Sequence, residues 1–355
     1  MVKKAVNLEE VAAHAGVSTA TVSRVARGIG QVSAATREKV LAAIAELGFR
    51  PSHLGRALAA RRHGALGLVF PGLSGPYYSE VIAGFEEEAV ASRLSVLILG
   101  THLLREAHEL VLDMADRVDG IGILGGSVPD AVVDALMTRD CPVVQMAGSH
   151  RTGVVTIRSE STEAVRTLTH HLLADHGYRR LAFVGNPTGS PDGQSRWDGF
   201  RQAHRDAGLP VPRTPVRVSH DQPGGLVAAD ALFTGSRTPR AVVCVNDESA
   251  LGVLVAALGR GLSVPDDVAI TGFDDVPAAA LTAPQLTTVR QPIRELGART
   301  VRALRAAIDG EPSTGDDILP TRIVVRASCG CPPAPAGDDA ARRRPAARRR
   351  TTRTP

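Results

Sequence analysis

The sequence predicts a small N-terminal domain of three helices followed by a two-lobed, doubly wound α/β body. Residues between 8 and 48 fall into short segments whose apolar positions recur at helical spacing. From about residue 64 onward, short apolar runs alternate with amphipathic stretches, a pattern typical of parallel strands buried on both faces. A chain of 355 residues is long enough for two or more domains with sizeable cores.

The first two helices predict a helix-turn-helix. Leu8–Ala15 lead into Gly16, and Ser18 then offers a hydroxyl that can accept hydrogen bonds from the open N–H groups of the next helix. In that second helix Val22 and Val25 share one side. The opposite side carries residues suited to an anionic partner, namely Ala20, Ser23, Arg24 and Arg27. An ordinary helical hairpin with a solvated charged face is the alternative for these two helices alone.

A third helix favours the helix-turn-helix over the plain hairpin. It starts at Ser33 and ends at Gly48. Its expected buried stripe is Val40, Leu41, Ile44 and Leu47. Three short helices can hold the second one at a fixed angle.

In the body, the predicted elements alternate in order. The expected strands are 66–70, 95–99, 120–124, 142–146, 181–184, 216–218, 241–245 and 268–271. Helices are expected over 81–91, 103–116, 197–207 and 250–258. Ligands of such sheets sit at the carboxyl ends of the strands, which predicts a small-molecule cleft between the two lobes.

Several motifs resemble the lactose-repressor (LacI/GalR) family of bacterial transcription regulators. Residues 8–24 (LEEVAAHAGVSTATVSR), 32–40 and 48–51 carry the resemblance in the N-terminal domain. It continues to about residue 328 through five body motifs: Gly67–Tyr78, Arg196–Arg201, Asn246–Gly252, Gly272–Asp275 and Leu286–Pro292.

The resemblance implies a division of the chain. Residues 1–48 would form the DNA-binding domain and 49–63 a hinge helix and linker. Residues 64–328 would form a periplasmic-binding-protein-like effector domain, with lobe one at 64–160 plus 291–320 and lobe two at 161–290 plus 321–328. Residues 329–355, rich in Pro and Arg, are expected to be a disordered tail.

The resemblance also assigns DNA contacts. Thr19, Ala20 and Arg24 are implied as readers of the major groove, and Arg24 is able to make a bidentate contact with guanine O6 and N7. The implied phosphate contacts are Thr21, Ser23 and Ser33. Leu58 is implied as a wedge between base steps in the minor groove.

The implied effector-binding residues are Tyr77, Tyr78, Arg196, Asn246 and Asp274, with His220 at a place where relatives often carry a stacking aromatic. Their chemistry suits a sugar or sugar derivative, because Arg donates, Asp and Asn accept from hydroxyls, and aromatic faces cover apolar ring surfaces. Structural roles are the alternative for Asp274 as a turn cap and for Tyr77 as core.

Charge is distributed unevenly. Residues 1–63 hold ten Lys or Arg and four acidic residues, whereas residues 64–331 hold 24 basic and 31 acidic ones. A basic N-terminal segment on an acidic body predicts that a polyanionic partner binds only the N-terminal end of the molecule. The segment 332–355 holds seven Arg and two Asp, which either adds non-specific phosphate attraction or is an inert solubilising tail.

Four cysteines are too few and too scattered for a disulfide framework. The Cys329-Gly-Cys331 pair lacks the further His or Cys ligands that a zinc site requires, so free thiols in a reducing cytoplasm are predicted and no metal site. Phosphate-binding, nucleophile-elbow and zinc-protease motifs are absent from the sequence, so neither an enzyme nor a cofactor is expected. No secretion signal or apolar span is visible, which predicts a cytoplasmic protein with no membrane partner.

The predicted function is therefore a sequence-specific DNA-binding regulator. The expected form is a homodimeric repressor of carbohydrate-utilisation genes that binds a near-palindromic operator of double-stranded DNA. A sugar-like effector between the lobes would switch its operator affinity. The alternative is a solute-binding protein of a sugar transport system, which shares the two-lobed fold but would need an export signal and no basic head.

Overall fold

A computed structural model describes residues 6–49, 62–72, 74–101, 107–188, 190–234, 238–311 and 315–332. Contacts between residues divide the chain after Gly64 into two compact units. The hinge helix expected at 49–63, including Leu58, falls almost entirely outside the described residues, as does the tail from 333 onward.

Three helices form the N-terminal unit: α1 (Leu8–Ala15), α2 (Thr19–Arg27) and α3 (Ala34–Leu47). Ser18 caps α2 by accepting a hydrogen bond from the Thr21 N–H at 3.2 Å, and Ser33 caps α3 in the same way through the Thr36 N–H at 3.3 Å. Each helix ends at a glycine in the left-handed conformation, namely Gly16, Gly28 and Gly48. The three helices predicted from caps and periodicity are confirmed.

One small core joins these helices. It contains Val11, Val22, Val25, Val40 and Ala43. The predicted stripe on α3 is wrong at Leu41, which is 50 % exposed. Positions 40, 43, 44 and 47 lie on one side of a helix, so Ala43 takes the buried place and Leu41 lies on the flank.

A six-stranded parallel sheet forms the centre of the first lobe. Its strands are β1 (Ala65–Phe70), β2 (Ser95–Gly100), β3 (Ile121–Leu124), β4 (Val143–Met146), β5 (Val155–Ser159) and β10 (Asp316–Leu319), in the order β10-β5-β4-β3-β1-β2. The helices around it are α4 (Pro76–Ala91), α5 (Ala107–Ala115), α6 (Asp130–Thr138) and α11 (Ile293–Ile308). Separate apolar cores cover the two faces, as expected for a doubly wound sheet.

The second lobe has a three-stranded parallel sheet in the order β6-β7-β8, formed by β6 (Leu181–Val184), β7 (Ala241–Cys244) and β8 (Ala269–Thr271). Its helices are α7 (Thr162–His170), α8 (Pro191–Asp206), α9 (Gln222–Phe233) and α10 (Asp247–Gly259), and α7 continues into a π-helix over His171–Asp175. An antiparallel pair, β9 (Thr288–Arg290) and β11 (Arg322–Val324), packs against the core of this lobe through Val289 and Ile323. The strand predicted at 216–218 is wrong: it is a single bridge between Val216 and Val184.

Helices α9 and α10 cross at two glycines. A Cβ at Gly252 would meet the Gln222 carbonyl oxygen far inside van der Waals contact and lie 2.9 Å from Gly225 Cα. Both neighbours are backbone atoms, which cannot rotate away. The crossing distance therefore depends on the absence of a side chain at this position.

We expect Gly252→Ala to lower the free energy of unfolding by about 1–3 kcal/mol, the usual cost of overpacking. The matched control is Gly259→Ala on the same helix, where a Cβ would meet nothing within 4 Å and the gain in helix propensity is about 0.5–1 kcal/mol. Urea unfolding of both variants measures the difference. Equal stability of the two variants would contradict the close crossing.

Candidate functional site

The exposed side of α2 carries the residues expected to read DNA. Thr19, Ala20 and Arg24 are exposed, whereas Thr21 and Ser23 are half-buried. Val22 and Val25 on the other side are 0 % and 5 % exposed. The helix is thus held by its apolar side, and the side chains predicted to contact bases remain accessible to a partner.

Two of the three residues expected at phosphates, Thr21 and Ser33, have local structural roles as well. The Thr21 hydroxyl lies 3.0 Å from the Ser18 hydroxyl, and the Ser33 hydroxyl lies 2.8 Å from that of Thr36. These pairs stand at the first turns of α2 and α3, where open backbone N–H groups favour anions. Capping and phosphate contact are therefore compatible at both positions.

A cavity of about 240 Å³ lies in the second unit at the carboxyl ends of the strands. All six residues predicted from the sequence to contact an effector line it: Tyr77, Tyr78, Arg196, His220, Asn246 and Asp274. Residues of the first lobe, such as Leu124 and Ala147, complete the wall. The tertiary structure thus brings together side chains spread from position 77 to position 274.

Arg196 is the central cation of this cavity. Its side chain extends from α8, is 6 % exposed, and donates a hydrogen bond of 2.7 Å to the Val245 carbonyl. One guanidinium nitrogen lies 3.8 Å from carboxylate oxygens of both Asp192 and Asp274. The guanidinium also lies 3.8 Å from the centre of the Phe273 ring. These contacts fix the guanidinium plane, as a directional donor requires.

Asp274 follows the end of β8 in an unusual backbone conformation with φ of 117°. Its carboxylate accepts a hydrogen bond of 2.5 Å from the Gln291 side chain. Burial raises the pKa of Asp274 to about 7, against the opposing influence of Arg196 and of the Gln291 hydrogen bond. Positive φ in a residue other than glycine is concentrated at functional sites, which favours a role in binding over the alternative of a plain turn cap.

Asn246 and His220 are joined by a hydrogen bond. The Asn246 side chain caps α10 by accepting from the Ser249 N–H at 3.0 Å and donates to the His220 carbonyl at 2.9 Å. The His220 ring contacts the backbone of Asn186 at 3.1 Å. Burial and, next, the charge of Arg196 lower the pKa of His220, so its ring is neutral at pH 7. Asn246 therefore has a structural role in addition to its place on the cavity wall.

Tyr77 and Tyr78 supply the aromatic part of the wall. Their ring centres are 5.6 Å apart in an edge-to-face arrangement, and Tyr78 makes a similar contact of 5.5 Å with Phe70. Burial raises the pKa of the Tyr77 hydroxyl well above its usual value, so this group remains a neutral donor. Both rings pack against the first-lobe core and also face the cavity. A structural role of Tyr77 in the core is therefore compatible with its predicted role in binding.

Two acidic residues of the cavity were missed from the sequence, Asp192 and Glu248. Asp192 lies one helical turn before Arg196 on α8, a spacing that could have revealed it. The helix was predicted to begin only at Trp197, whereas it begins at Pro191. Burial raises the pKa of Asp192, although Arg196 and then Arg158 act in the opposite direction.

Two family models match the chain. Residues 7–52 match the model for bacterial regulatory proteins of the lacI family, and residues 170–329 match the model for a periplasmic binding protein-like domain. The catabolite control protein A of Priestia megaterium is 32 % identical over 328 residues, which cover 91 % of this chain and 99 % of that protein.

The chain belongs to the LacI family. It is accordingly a DNA-binding transcription regulator with a two-lobed α/β domain. Among solved structures, this LacI-family regulator resembles a lac repressor dimer bound to operator and the anti-inducer ONPF, with 28 % identity and a TM-score of 0.82 over 92 % of this chain and 99 % of that one.

A complex of the transcriptional regulator CelR with cellobiose is also similar, with 29 % identity and a TM-score of 0.69 over 91 % of this chain and 99 % of that one. In the described part of this LacI-family regulator, none of the helices combines the length and apolar character that crossing a bilayer requires.

Proposed function

We propose that this regulator is a homodimeric repressor of carbohydrate-utilisation genes, and that a small sugar or sugar derivative in the cavity switches its affinity for a near-palindromic operator. The observation that carries the proposal is the convergence of the six predicted residues on one cavity. The similar lac repressor dimer is bound to operator, and the similar CelR is bound to cellobiose. These names favour a regulator over a transport protein or an enzyme, and they support the proposal that it acts on DNA in the cytoplasm.

The chemistry of the cavity favours a neutral, hydroxyl-rich ligand. Three carboxyl groups (Asp192, Glu248 and Asp274) face one arginine, Arg196, so an anionic ligand would meet repulsion. Carboxylates accept hydrogen bonds from hydroxyls, and the two tyrosine rings can cover the apolar face of a sugar ring. A volume of about 240 Å³ lies just below the roughly 300–1,000 Å³ of pockets for drug-sized molecules, which suits a ligand of monosaccharide size.

On the DNA side, we propose that Thr19, Ala20 and Arg24 contact bases and that Thr21, Ser23 and Ser33 contact phosphates. The exposure of the first three and the packing of Val22 and Val25 support this division. The minor-groove role of Leu58 remains a prediction, because Leu58 lies outside the described residues. We also propose the domain limits stated above, with the two lobes built around the two parallel sheets. The expected disordered tail is wrong at its start, because Cys329 is fully buried in the second-lobe core and residues 329–332 belong to the folded body.

Selection from random duplexes, followed by titration with a panel of monosaccharides, tests the proposal. We expect the full chain to enrich a two-fold symmetric site and one sugar to weaken binding to that site. Asp274→Asn should keep the DNA affinity and lose the response to the sugar. Failure to enrich any symmetric site would contradict the regulator itself. Enrichment without a response to any sugar would contradict only the effector class, and tighter binding with sugar would reverse the sign of the switch.

A further inference from the structure

Four potential metal ligands meet in the second lobe, away from the effector cavity. The side chains of His171, His176, Cys329 and Cys331 place their ligand atoms within 4.8 Å of one another. We refer to these four residues as the histidine–cysteine cluster. They are not among the residues that line the cavity, so the effector does not account for them.

Four of the six ligand–ligand distances within this cluster match those of a tetrahedral zinc site, and all six are within 4.8 Å. Zinc binds sulfur at about 2.3 Å and nitrogen at about 2.0–2.1 Å, which in a tetrahedron places N and S about 3.5 Å apart and two nitrogens about 3.3 Å apart. Cys331 Sγ lies 3.6 Å from His171 Nε2 and 3.4 Å from His176 Nε2. Cys329 Sγ lies 3.6 Å from His171 Nε2, and the two Nε2 atoms are 3.2 Å apart.

The local backbone is shaped to bring the two histidines together. The π-helix His171–Asp175 ends with the His176 N–H donating to the His171 carbonyl at 3.4 Å. This spacing of five residues brings both rings to one side of the helix. Single π-turns within α-helices occur frequently at functional sites.

The two cysteines are brought to the histidines by a turn that requires glycine. Gly330 has a φ of 106°, and a Cβ there would lie 2.8 Å from the Tyr178 hydroxyl and 3.2 Å from His176 Nδ1. The Tyr178 hydroxyl donates to the Cys329 carbonyl at 3.0 Å, and the Tyr178 ring stacks on His176 with ring centres 5.2 Å apart. These contacts of Tyr178 thus hold the turn that carries the two cysteines next to the His176 ring.

Outer contacts orient one ligand as they do in metal sites. His171 Nδ1 donates to the Asp175 carboxylate at 2.7 Å, which leaves the lone pair of Nε2 directed at the cluster. A carboxylate on the far nitrogen of a histidine is the usual partner of a metal-bound imidazole, and it fixes the tautomer. The cluster therefore has a second layer of contacts as well as a ligand set.

We propose that the histidine–cysteine cluster binds one zinc ion as a closed structural site. Two thiolates and two imidazoles select zinc over magnesium or calcium, which prefer oxygen ligands. Four protein ligands leave no open position, which is the mark of a structural rather than a catalytic zinc site. The ion would fasten Cys331, which directly precedes the segment 332–355, to the end of the π-helix.

The first test uses cobalt as a spectroscopic probe on the full chain, purified metal-free under reducing conditions with its thiols counted. We expect one equivalent of Co²⁺ to produce the visible bands of tetrahedral cobalt and the near-ultraviolet bands of sulfur-to-metal charge transfer. Zn²⁺ should then abolish both. The absence of these bands in protein with four free thiols, or the finding of a persistent Cys329–Cys331 disulfide, would overturn the proposal.

Variants provide the second test, by competition with a chromophoric zinc chelator. Cys331→Ser should weaken zinc binding by more than about 100-fold, and Asp175→Asn by about 10- to 100-fold, the usual range for an outer partner. Cys141→Ser is the matched control, because this thiol packs in the first lobe. Unchanged zinc affinity in Cys331→Ser would overturn the proposal, and the cobalt spectrum of the unmodified chain decides the matter if a variant does not fold.

Discussion

Replacing Arg24 by alanine is expected to abolish most of the preference for operator over unrelated DNA, while weak and salt-sensitive binding persists. Arg24 is exposed on α2, and a bidentate contact between arginine and guanine contributes about 1–3 kcal/mol of discrimination. The proposed homodimer would lose one such contact in each half-site, about 2–6 kcal/mol in all, so the ratio of the two dissociation constants should fall by roughly 30- to 25,000-fold. Phosphate contacts, which do not depend on sequence, remain and preserve the non-specific affinity.

Fluorescence anisotropy with the selected operator and a scrambled duplex measures this ratio at two salt concentrations. Arg37→Ala is the matched control, since it removes an arginine from α3 rather than from the exposed side of α2. In that control both dissociation constants should rise together, if they rise at all. An Arg24→Ala protein that still separates the two duplexes as well as the parent does would show that Arg24 does not read the base sequence.

Arg196→Ala is expected to lower the free energy of unfolding at pH 8 by about 3–5 kcal/mol, the cost of removing one partner from a buried ion pair. Asp192 and Asp274 would keep their burial and lose the cation that lies 3.8 Å away. The Val245 carbonyl would lose its donor as well. Urea unfolding measures this loss, and circular dichroism at zero denaturant shows whether the variant is still folded.

The loss should depend on pH with a definite sign. Burial raises the pKa of Asp274 to about 7, and Arg196 acts to lower it, so the pKa of Asp274 rises further without the arginine. A carboxyl group whose pKa is raised by folding stabilises the fold less as the pH increases through that pKa. The difference between variant and parent should therefore be smaller at pH 5 than at pH 8.

The exposed Arg205 of the same helix provides the control for this experiment. Arg205→Ala should change stability by no more than about 0.5 kcal/mol, with no dependence on pH. A loss that is the same at pH 5 and pH 8 in Arg196→Ala would indicate that packing, rather than the uncompensated carboxylates, is the cause.

Local signals predicted most helices and strands but misjudged where two helices begin. The helices expected from Val81 and from Trp197 start instead at Pro76 and Pro191. Both helices begin with proline, which is well suited to the first position of a helix because its missing N–H would have no partner there. The predicted start at Trp197 also left out Asp192, which lies in the first turn of α8.

The candidate cavity could be predicted only through the family resemblance. Nothing in the composition near Tyr77 or His220 shows that the two face the same space, because each is positioned by a different strand end. The histidine–cysteine cluster was likewise not predicted, because the sequence does not show which distant residues meet in space. The pair Cys329-Gly-Cys331 was taken to lack partners, and the nearest ones in space include His171, 158 residues before Cys329.

The sequence by itself determined the N-terminal helices, because a cap, an apolar stripe and a terminal glycine act within three or four residues of one another. It also determined the doubly wound character of the body, since strands buried on both faces must be apolar throughout. Only the tertiary structure decided that Ala43 rather than Leu41 is buried, which carboxylates surround Arg196, and where the cysteines meet the histidines. Those outcomes depend on which surfaces pack together, and packing joins residues that the chain keeps far apart.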